Sequence, residues 1–143
     1  MFRETPQGED LIYSGNVMTD RIEEKARNIF GFNNETINIF NAIALGNSTI
    51  AQTKTKLDTE ATTTGFARTN GTVTAWTNSG DYAFNVTNKF TATGNIAVNS
   101  TALHETDTGE TTDAVALASL GGSEDFKNNW NCTITWSITC NFN

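Results

Sequence analysis

Apolar and polar residues alternate without a break along the last fourteen residues, Trp130 to Asn143. Even positions are apolar and odd positions are polar throughout this run. A period of two residues sorts the two sets onto opposite faces of a β-strand, which no helix could do. At about 3.3 Å per residue the run would be about 43 Å long. The pattern therefore predicts a long strand that crosses a broad sheet or bends between two sheets.

Four other segments carry strand patterns. Tyr82 to Thr93 alternates in the same way, and we expect it to lie next to the last strand. Residues 37–46 are apolar on both faces, which indicates a central strand that is covered on each side, one of them by a helix. Residues 95–103 and 113–120 flank an acidic segment, which predicts a hairpin.

One segment, from about Asp20 to Phe30, has the period of a helix. Thr19 or Asp20 would be its N-cap, and Gly31 lies where a C′ residue belongs. The apolar stripe is narrow and suits packing on one sheet face, and it consists of Ile22, Ala26, Ile29 and Phe30.

The first 17 residues have no regular period and are interrupted by Pro6, Gly8 and Gly15. We predict an extended arm over residues 1–17, followed by one domain over residues 18–143. The alternative is a frayed terminus, because many such segments stay unstructured. The arm would dock on a neighbouring molecule through Leu11, Ile12 and Tyr13.

Two connections stand out between the predicted strands. Asn70-Gly71 lies between two strand-like segments and predicts a hairpin with a type I′ turn, because both central residues of that turn need a positive φ. Residues 47–64 follow neither period and form the longest predicted loop, which Ile50 and Leu57 would hold in place.

Six to eight strands, frequent turn signals and one helix predict a mainly β protein. The expected fold is an antiparallel β-sandwich, of the jelly-roll or immunoglobulin-like type, with one N-terminal helix. A length of 143 residues suits a single domain.

The charge of the chain excludes two classes of partner. Charged residues make up only 17% of the sequence, and the formal net charge is −7. Nucleic acids and anionic membranes attract clustered Lys and Arg, so we expect neither as a direct partner. The sequence shows no apolar run typical of a secretory signal or a membrane helix, and we expect neither.

The acidic segment between the predicted hairpin strands is the strongest candidate for a metal site. Its spacing is not that of an EF-hand, and a solvated hairpin tip accounts for it equally well. The calcium candidates are Glu105, Asp107, Glu110 and Asp113, beside His104. His104 is the only histidine, and no nucleophile motif surrounds it. We therefore expect no enzymatic activity and no cofactor.

The tryptophan and cysteine residues suggest further candidate roles. Trp76, Trp130 and Trp136 could form a platform on which sugars stack, although Trp136 lies on the apolar face of its strand and favours the core. Cys132 and Cys140 share that face about 26 Å apart, whereas a disulfide needs Cα atoms within about 7 Å. We predict no bond between them within one chain; they are buried thiols, or they link neighbouring subunits.

The order of these segments resembles a group of small virion proteins of tailed bacteriophages and tailed archaeal viruses. In that group a helix leads to an I-A-L-G strand, a long loop, a T-G-x-I-x-V-N-E-A-G-L strand, a glycine-containing hairpin and a closing T-V-T-W-T-I-T-F strand. Ser100, Thr101 and Ala102 stand where E-A-G is usual, so no role of that Glu carries over. The matching segments cover residues 17–142 and include V-M-T-D-R-I-E-E-K-A-R-N-I-F, I-F-N-A-I-A-L-G-N-S-T, T-G-N-I-A-V-N-S-T-A-L, A-V-A-L-A-S-L and C-T-I-T-W-S-I-T.

The resemblance implies a non-enzymatic, self-assembling virion protein, made in the host cytoplasm. It would decorate the capsid as a cement, turret or head-fibre subunit, or belong to the tail and its fibres. We expect a trimer or pentamer that contacts the major capsid protein or tail proteins, because the long strand and the polar arm expose more edge than one small domain can cover. The alternative is a tail-fibre adhesin that binds glycans on the host cell surface.

Overall fold

The computed structural model describes residues 2–5, 8–11, 17–18, 40–51, 53–78, 80–105 and 114–140. Eleven strands lie within these residues. They are β1 Phe2–Thr5, β2 Gly8–Leu11, β3 Val17–Met18, β4 Phe40–Asn47, β5 Thr59–Glu60, β6 Thr69–Asn70, β7 Thr72–Asn78, β8 Asp81–Thr91, β9 Ile96–Glu105, β10 Ala114–Phe126 and β11 Asn131–Cys140.

Sheet A contains five strands in the order β2-β1-β11-β8-β7, and the pairing between them is antiparallel. Its longest ladder joins β11 to β8 and runs from Asn131 opposite Thr91 to Cys140 opposite Tyr82. The prediction that the segment from Tyr82 onward adjoins the last strand is confirmed. The β-branched residues and alternating polarity of both strands suit such a half-buried sheet.

Sheet B follows the order β3-β10-β9-β4-β5, and β6 also pairs with β4. The predicted central strand corresponds to β4, which lies between β9 and the two short strands, with every residue from Asn41 to Gly46 buried. Strands β9 and β10 pair antiparallel, as expected. Strand β10 continues to Phe126 through an irregularity between Ser119 and Glu124, beyond the predicted end at residue 120.

Both sheets contribute to one hydrophobic core. Sheet A supplies Val86, Phe90 and Ile134, and sheet B supplies residues such as Leu45 and Phe126. The protein is therefore mainly β with antiparallel sheets, as predicted. The described residues contain no helix; the predicted helix from Asp20 to Phe30 lies outside them. Within the described residues, no helix has the length and apolar character needed to cross a membrane.

A second, smaller apolar cluster covers the opposite face of sheet B. Leu57 is buried there against Ala44, Ala102 and Leu117, and Ile50 packs beside it. The loop that follows β4 is thus held by the two residues that the sequence indicated. This explains why β4 is apolar on both faces, since each face meets a different cluster.

Asp58 closes this loop through several hydrogen bonds. Its carboxylate accepts hydrogen bonds from Lys54 Nζ at 2.6 Å, from Ser48 Oγ at 3.0 Å and from the Thr49 backbone N–H at 3.2 Å. The backbone N–H of Ala114, at the start of β10, donates to Thr55 O at 2.6 Å. Hydrogen bonds within the loop, and one hydrogen bond to β10 of sheet B, therefore hold the loop in place.

The predicted Asn70-Gly71 hairpin is wrong. Strand β6 belongs to sheet B and β7 belongs to sheet A, so the chain crosses between the sheets at Gly71. Neither residue has a positive φ; a turn with two positive φ angles lies instead at Thr64 and Gly65, at 61° and 79°. It is closed by the Phe66 backbone N–H, which donates to Thr63 O at 3.1 Å. Local turn propensity was overridden at Asn70-Gly71 by the pairing of each flank with a different sheet.

The final strand has the predicted alternation. Cys132, Ile134 and Trp136 are buried in the core, whereas Thr135, Ser137 and Thr139 are exposed. Strand β11 ends at Cys140, and residues 141–143 lie outside the described part of the chain. Cys132 is a free, buried thiol, and a single continuous strand separates it from Cys140.

The N-terminal segment contributes two strands to sheet A. Strand β1 pairs with β11 from Phe2 opposite Thr133 to Glu4 opposite Asn131, and β2 pairs with the outer side of β1. Leu11 is the last residue of β2, while Ile12 and Tyr13 lie outside the described residues. Within one chain, this part of the predicted arm extends a sheet of its own domain.

Candidate functional site

Strand β7 is the outermost strand at one side of sheet A. Among the described strands it pairs only with β8, from Thr72 opposite Thr87 to Asn78 opposite Asp81, without a register shift. Its sequence, T-V-T-A-W-T-N, contains no charged residue and no proline. The outer side of such a strand presents backbone N–H and C=O groups that can pair with a further strand.

Part of the inner face beside this edge is apolar and exposed. Val73 is opposite Val86, and Ala75 is opposite Phe84, so all four lie on the face that meets the core. Val86 is fully buried, yet Val73 is 44% exposed and Ala75 is also exposed. Tyr82, two residues before Phe84 and on the same face, is 81% exposed. We call the set Val73, Ala75, Tyr82 and Phe84 the β7 ledge.

The ledge exists because the core ends beneath β8. Phe84 is half-buried and packs against the core, while Val73 and Ala75 are not members of it. The described strands of sheet B nearest in sequence, β5 and β6, are only two residues long each. Among the described residues, β7 thus lies beyond the hydrophobic core, and the four ledge residues carry no charge.

The outer face of sheet A is a separate, polar surface. Hydroxyl and amide side chains of β8 and β11 form hydrogen bonds across the strands: Thr87 with Thr135 at 3.1 Å, and Ser137 Oγ to Asn85 Oδ1 at 2.7 Å. A third bond runs from Thr91 Oγ1 to Asn131 Oδ1 at 2.7 Å. The surface can offer hydroxyl and amide groups to a neutral polar ligand.

The structure separates the calcium candidates. His104 and Glu105 were expected in a loop, but both are buried residues of β9, because β9 continues its pairing with β4 as far as Glu105 opposite Phe40. Asp107, Glu110 and Asp113 lie outside the described residues. In the part of the chain that is described, no three metal-binding side chains come together.

Two of the three tryptophans belong to the core rather than to an exposed platform. Trp136 is 3% exposed within the core, as its position on the strand indicated. Trp130 is half-buried against the same core, and Lys127 Nζ lies 5.6 Å from the centroid of its ring. Trp76 lies in β7, at the edge of the sheet, and is opposite Ala83 of β8.

The sequence reasoning missed the β7 ledge. Val73 and Ala75 alternate with Thr72 and Thr74, and this local signal marks an inner face. The absence of charged residues from β7 pointed away from an edge position, because natural edge strands usually carry charges. Whether a second sheet covers Val73 and Ala75 depends on contacts between distant segments. No local sequence pattern shows such contacts.

The chain was compared with known proteins in three ways. No protein-family model, no curated protein and no solved structure matches it.

Proposed function

We propose that this chain is a non-enzymatic structural protein of a virion that assembles with copies of itself. Its fold would be a β-sandwich of the jelly-roll or immunoglobulin-like type, and its place would be on the capsid as a cement, turret or head-fibre subunit. The observation that carries the proposal is the β7 ledge, where an uncharged edge strand and exposed apolar side chains adjoin. A surface of this kind is typical of a protein–protein contact.

The position of His104 supports a role without catalysis. The only histidine of the chain is fully buried inside β9, where no substrate can reach its ring. Cys132, a second possible nucleophile, is also buried, and burial raises the pKa of its thiol to about 12. A thiol of this kind stays protonated at neutral pH and is a poor nucleophile.

The proposed partners are copies of the chain and other proteins of the virion. Copies of the chain would form a trimer or pentamer, and the N-terminal arm, with Leu11, Ile12 and Tyr13, would dock on the major capsid protein or on tail proteins. The subunit would be made in the host cytoplasm and need no cofactor. Calcium at Glu105, Asp107, Glu110 and Asp113 is not part of the proposal, because the burial of Glu105 within β9 removes it from a loop site.

Immunogold electron microscopy tests the proposal directly. Antibodies raised against the purified protein should label virions that are produced from a genome encoding this chain. Gold particles on the head would support a capsid position, and gold on the tail would support a tail position. Virions without label, in preparations where the protein is detected only in the soluble fraction, would contradict the proposal.

A tail-fibre adhesin that binds glycans is the second candidate. It is favoured by the outer face of sheet A, where exposed Thr135 and Ser137 lie beside Asn85 and Thr87. These side chains can form hydrogen bonds with sugar hydroxyl groups without removing a charge from water. Binding to a glycan array that is lost in the Thr135→Val variant and retained in an Ala97→Val variant would favour this function.

A further inference from the structure

The edge of β7 lacks the features that prevent strands from pairing between molecules. Natural edge strands carry charges, prolines or bulges that block such pairing. Strand β2, at the other side of sheet A, contains Glu9 and Asp10, and β10 contains an irregularity together with Glu124 and Asp125. Strand β7 has seven residues in unbroken register and none of these features. Its outer side is therefore suited to receive another strand.

The outer side of β7 pairs with no other described strand, and the ledge places exposed apolar side chains next to it. Val73 and Ala75 face the core side but remain exposed, and Tyr82 is the most exposed large apolar residue described. A strand added to β7 would bring its own inner-face side chains beside them. Pairing at the edge would thus satisfy backbone groups and cover apolar area in the same step.

We propose that the strand added at this edge is β7 of a second copy of the chain, paired antiparallel about a twofold axis. The two A sheets would then form one continuous sheet. With Ala75 of each copy at the axis, Val73 of one copy lies opposite Thr77 of the other, and the two ledges adjoin on one face. The inference rests on the proposed self-assembly and adds a twofold contact to it; a trimer or pentamer would form through a separate, heterologous contact.

Charge restricts where two copies of the chain can meet, and β7 meets that restriction. Each copy has a formal net charge of −7, so two copies repel each other over most orientations. The residues of β7 are uncharged, and their pairing about the axis therefore places no like charges opposite each other. A twofold contact also needs only one self-complementary patch, which the edge and the ledge supply. Because the contact is one strand wide, we expect a reversible dimer with a dissociation constant of about micromolar size.

Sedimentation velocity on the full chain at about 0.15 M salt, at about 1 to 100 µM, tests the inference, because salt screens the repulsion between the net charges. The wild type should show a monomer–dimer equilibrium. The Ala75→Lys variant places two ammonium groups at the axis and should raise the dissociation constant about tenfold or more, as should Ala75→Glu. Ala97→Lys adds the same charge at an exposed position of β9 and should change the constant less than about twofold. An equimolar mixture of Ala75→Lys and Ala75→Glu should dimerise again, because unlike charges then meet at the axis.

Recovery in the mixture separates a lost contact from a lost fold, since two misfolded chains would not restore each other. A wild type that stays monomeric over this range overturns the inference. So does an oligomer, whether dimer, trimer or pentamer, that Ala75→Lys leaves unchanged. None of these results decides whether the protein belongs to a virion, which the immunogold experiment tests separately.

Discussion

At the scale of single residues, Gly71 occupies the point at which the chain passes from sheet B to sheet A. Its backbone N–H donates to Asn41 O at 2.7 Å. A Cβ atom at this position would lie 2.8 Å from Thr87 O and 2.9 Å from Val86 Cγ1, closer than real Cβ atoms approach. The absence of a side chain thus lets β7 start directly against β8.

We expect Gly71→Ala to lower the free energy of unfolding by about 1 to 3 kcal/mol, because the backbone must shift to make room for the methyl group. Urea denaturation measures the change. Gly122→Ala is the matched control, since nothing lies within 4 Å of a Cβ there, and its effect should stay within about 0.5 kcal/mol. Equal stability of the two variants would show that the crossing tolerates a side chain.

Cys132 should be chemically inert in the folded protein. Burial raises the pKa of its thiol from the ordinary value of 9.0 to about 12, since the thiolate would lose its hydration in the core. In a Cys140→Ser variant at pH 8, a thiol reagent should leave the native chain unmodified and react fully in concentrated urea. Rapid modification of the native chain would place the thiol at an accessible site.

The same shift makes stability depend on alkaline pH. The folded state keeps the Cys132 proton over a range in which the unfolded state has lost it, so the contribution is complete below about 9 and falls as pH rises towards about 12. The wild type should therefore lose more stability over this range than a Cys132→Ala variant. Parallel losses in the two proteins would assign the alkaline effect to other groups.

At the scale of elements, the loop between β4 and β5 depends on Asp58. The pKa of its carboxyl group is lowered from 3.8, first by the hydrogen bond from Lys54 and then by those from Thr49 and Ser48. The carboxylate's contribution is therefore present above that ordinary value and is lost as pH falls through the lowered pKa. The loop should loosen under acid conditions before the sheets separate.

Asp58→Asn should imitate this acid effect at neutral pH. Hydrogen exchange should accelerate at the Ala114 amide, which donates to Thr55 O within the same loop, while the midpoint of global unfolding shifts little. Asp125→Asn removes an exposed charge from β10 and should leave that amide unchanged. Equal exchange in both variants would show that the Asp58 carboxylate does not hold the loop.

At the scale of the whole molecule, the N-terminal segment adds strands at one side of sheet A, and the β7 ledge lies at the other. Strand β1 pairs with β11 only from Asn131 to Thr133, whereas β8 pairs with the full length of β11. Deleting residues 1–17 should therefore leave a folded β protein, and the proposed docking role predicts that this protein no longer binds capsids or tails. The shortened chain should still form the β7 dimer, since that contact lies at the opposite edge of sheet A.

Circular dichroism and co-sedimentation with purified virions check this prediction, with the full chain as control. Loss of the β signal would show that the segment is an indispensable part of the sheet. Unchanged co-sedimentation of the shortened chain would assign docking to a different surface.

Local patterns in the sequence determined which residues face the core within a strand. Alternation in β11, the apolar positions Val86 and Phe90 of β8, apolar residues on both faces of β4, and Leu57 in a polar loop predicted burial correctly, whereas Tyr82 at the start of β8 is 81% exposed. They succeed because the two faces of a strand follow from the covalent geometry of neighbouring residues. The same geometry keeps Cys132 and Cys140 apart along one strand.

Only the tertiary structure decided which strands pair and where their cover ends. Asn70-Gly71 has a hairpin sequence, but its flanks pair with strands of different sheets. His104 and Glu105 belong to β9 because β4, some 60 residues earlier, extends the pairing. Val73 has an inner-face position, yet it is exposed because the core ends beneath β8. These outcomes depend on how distant segments compete for the same backbone groups and apolar area, and a local pattern cannot record that competition.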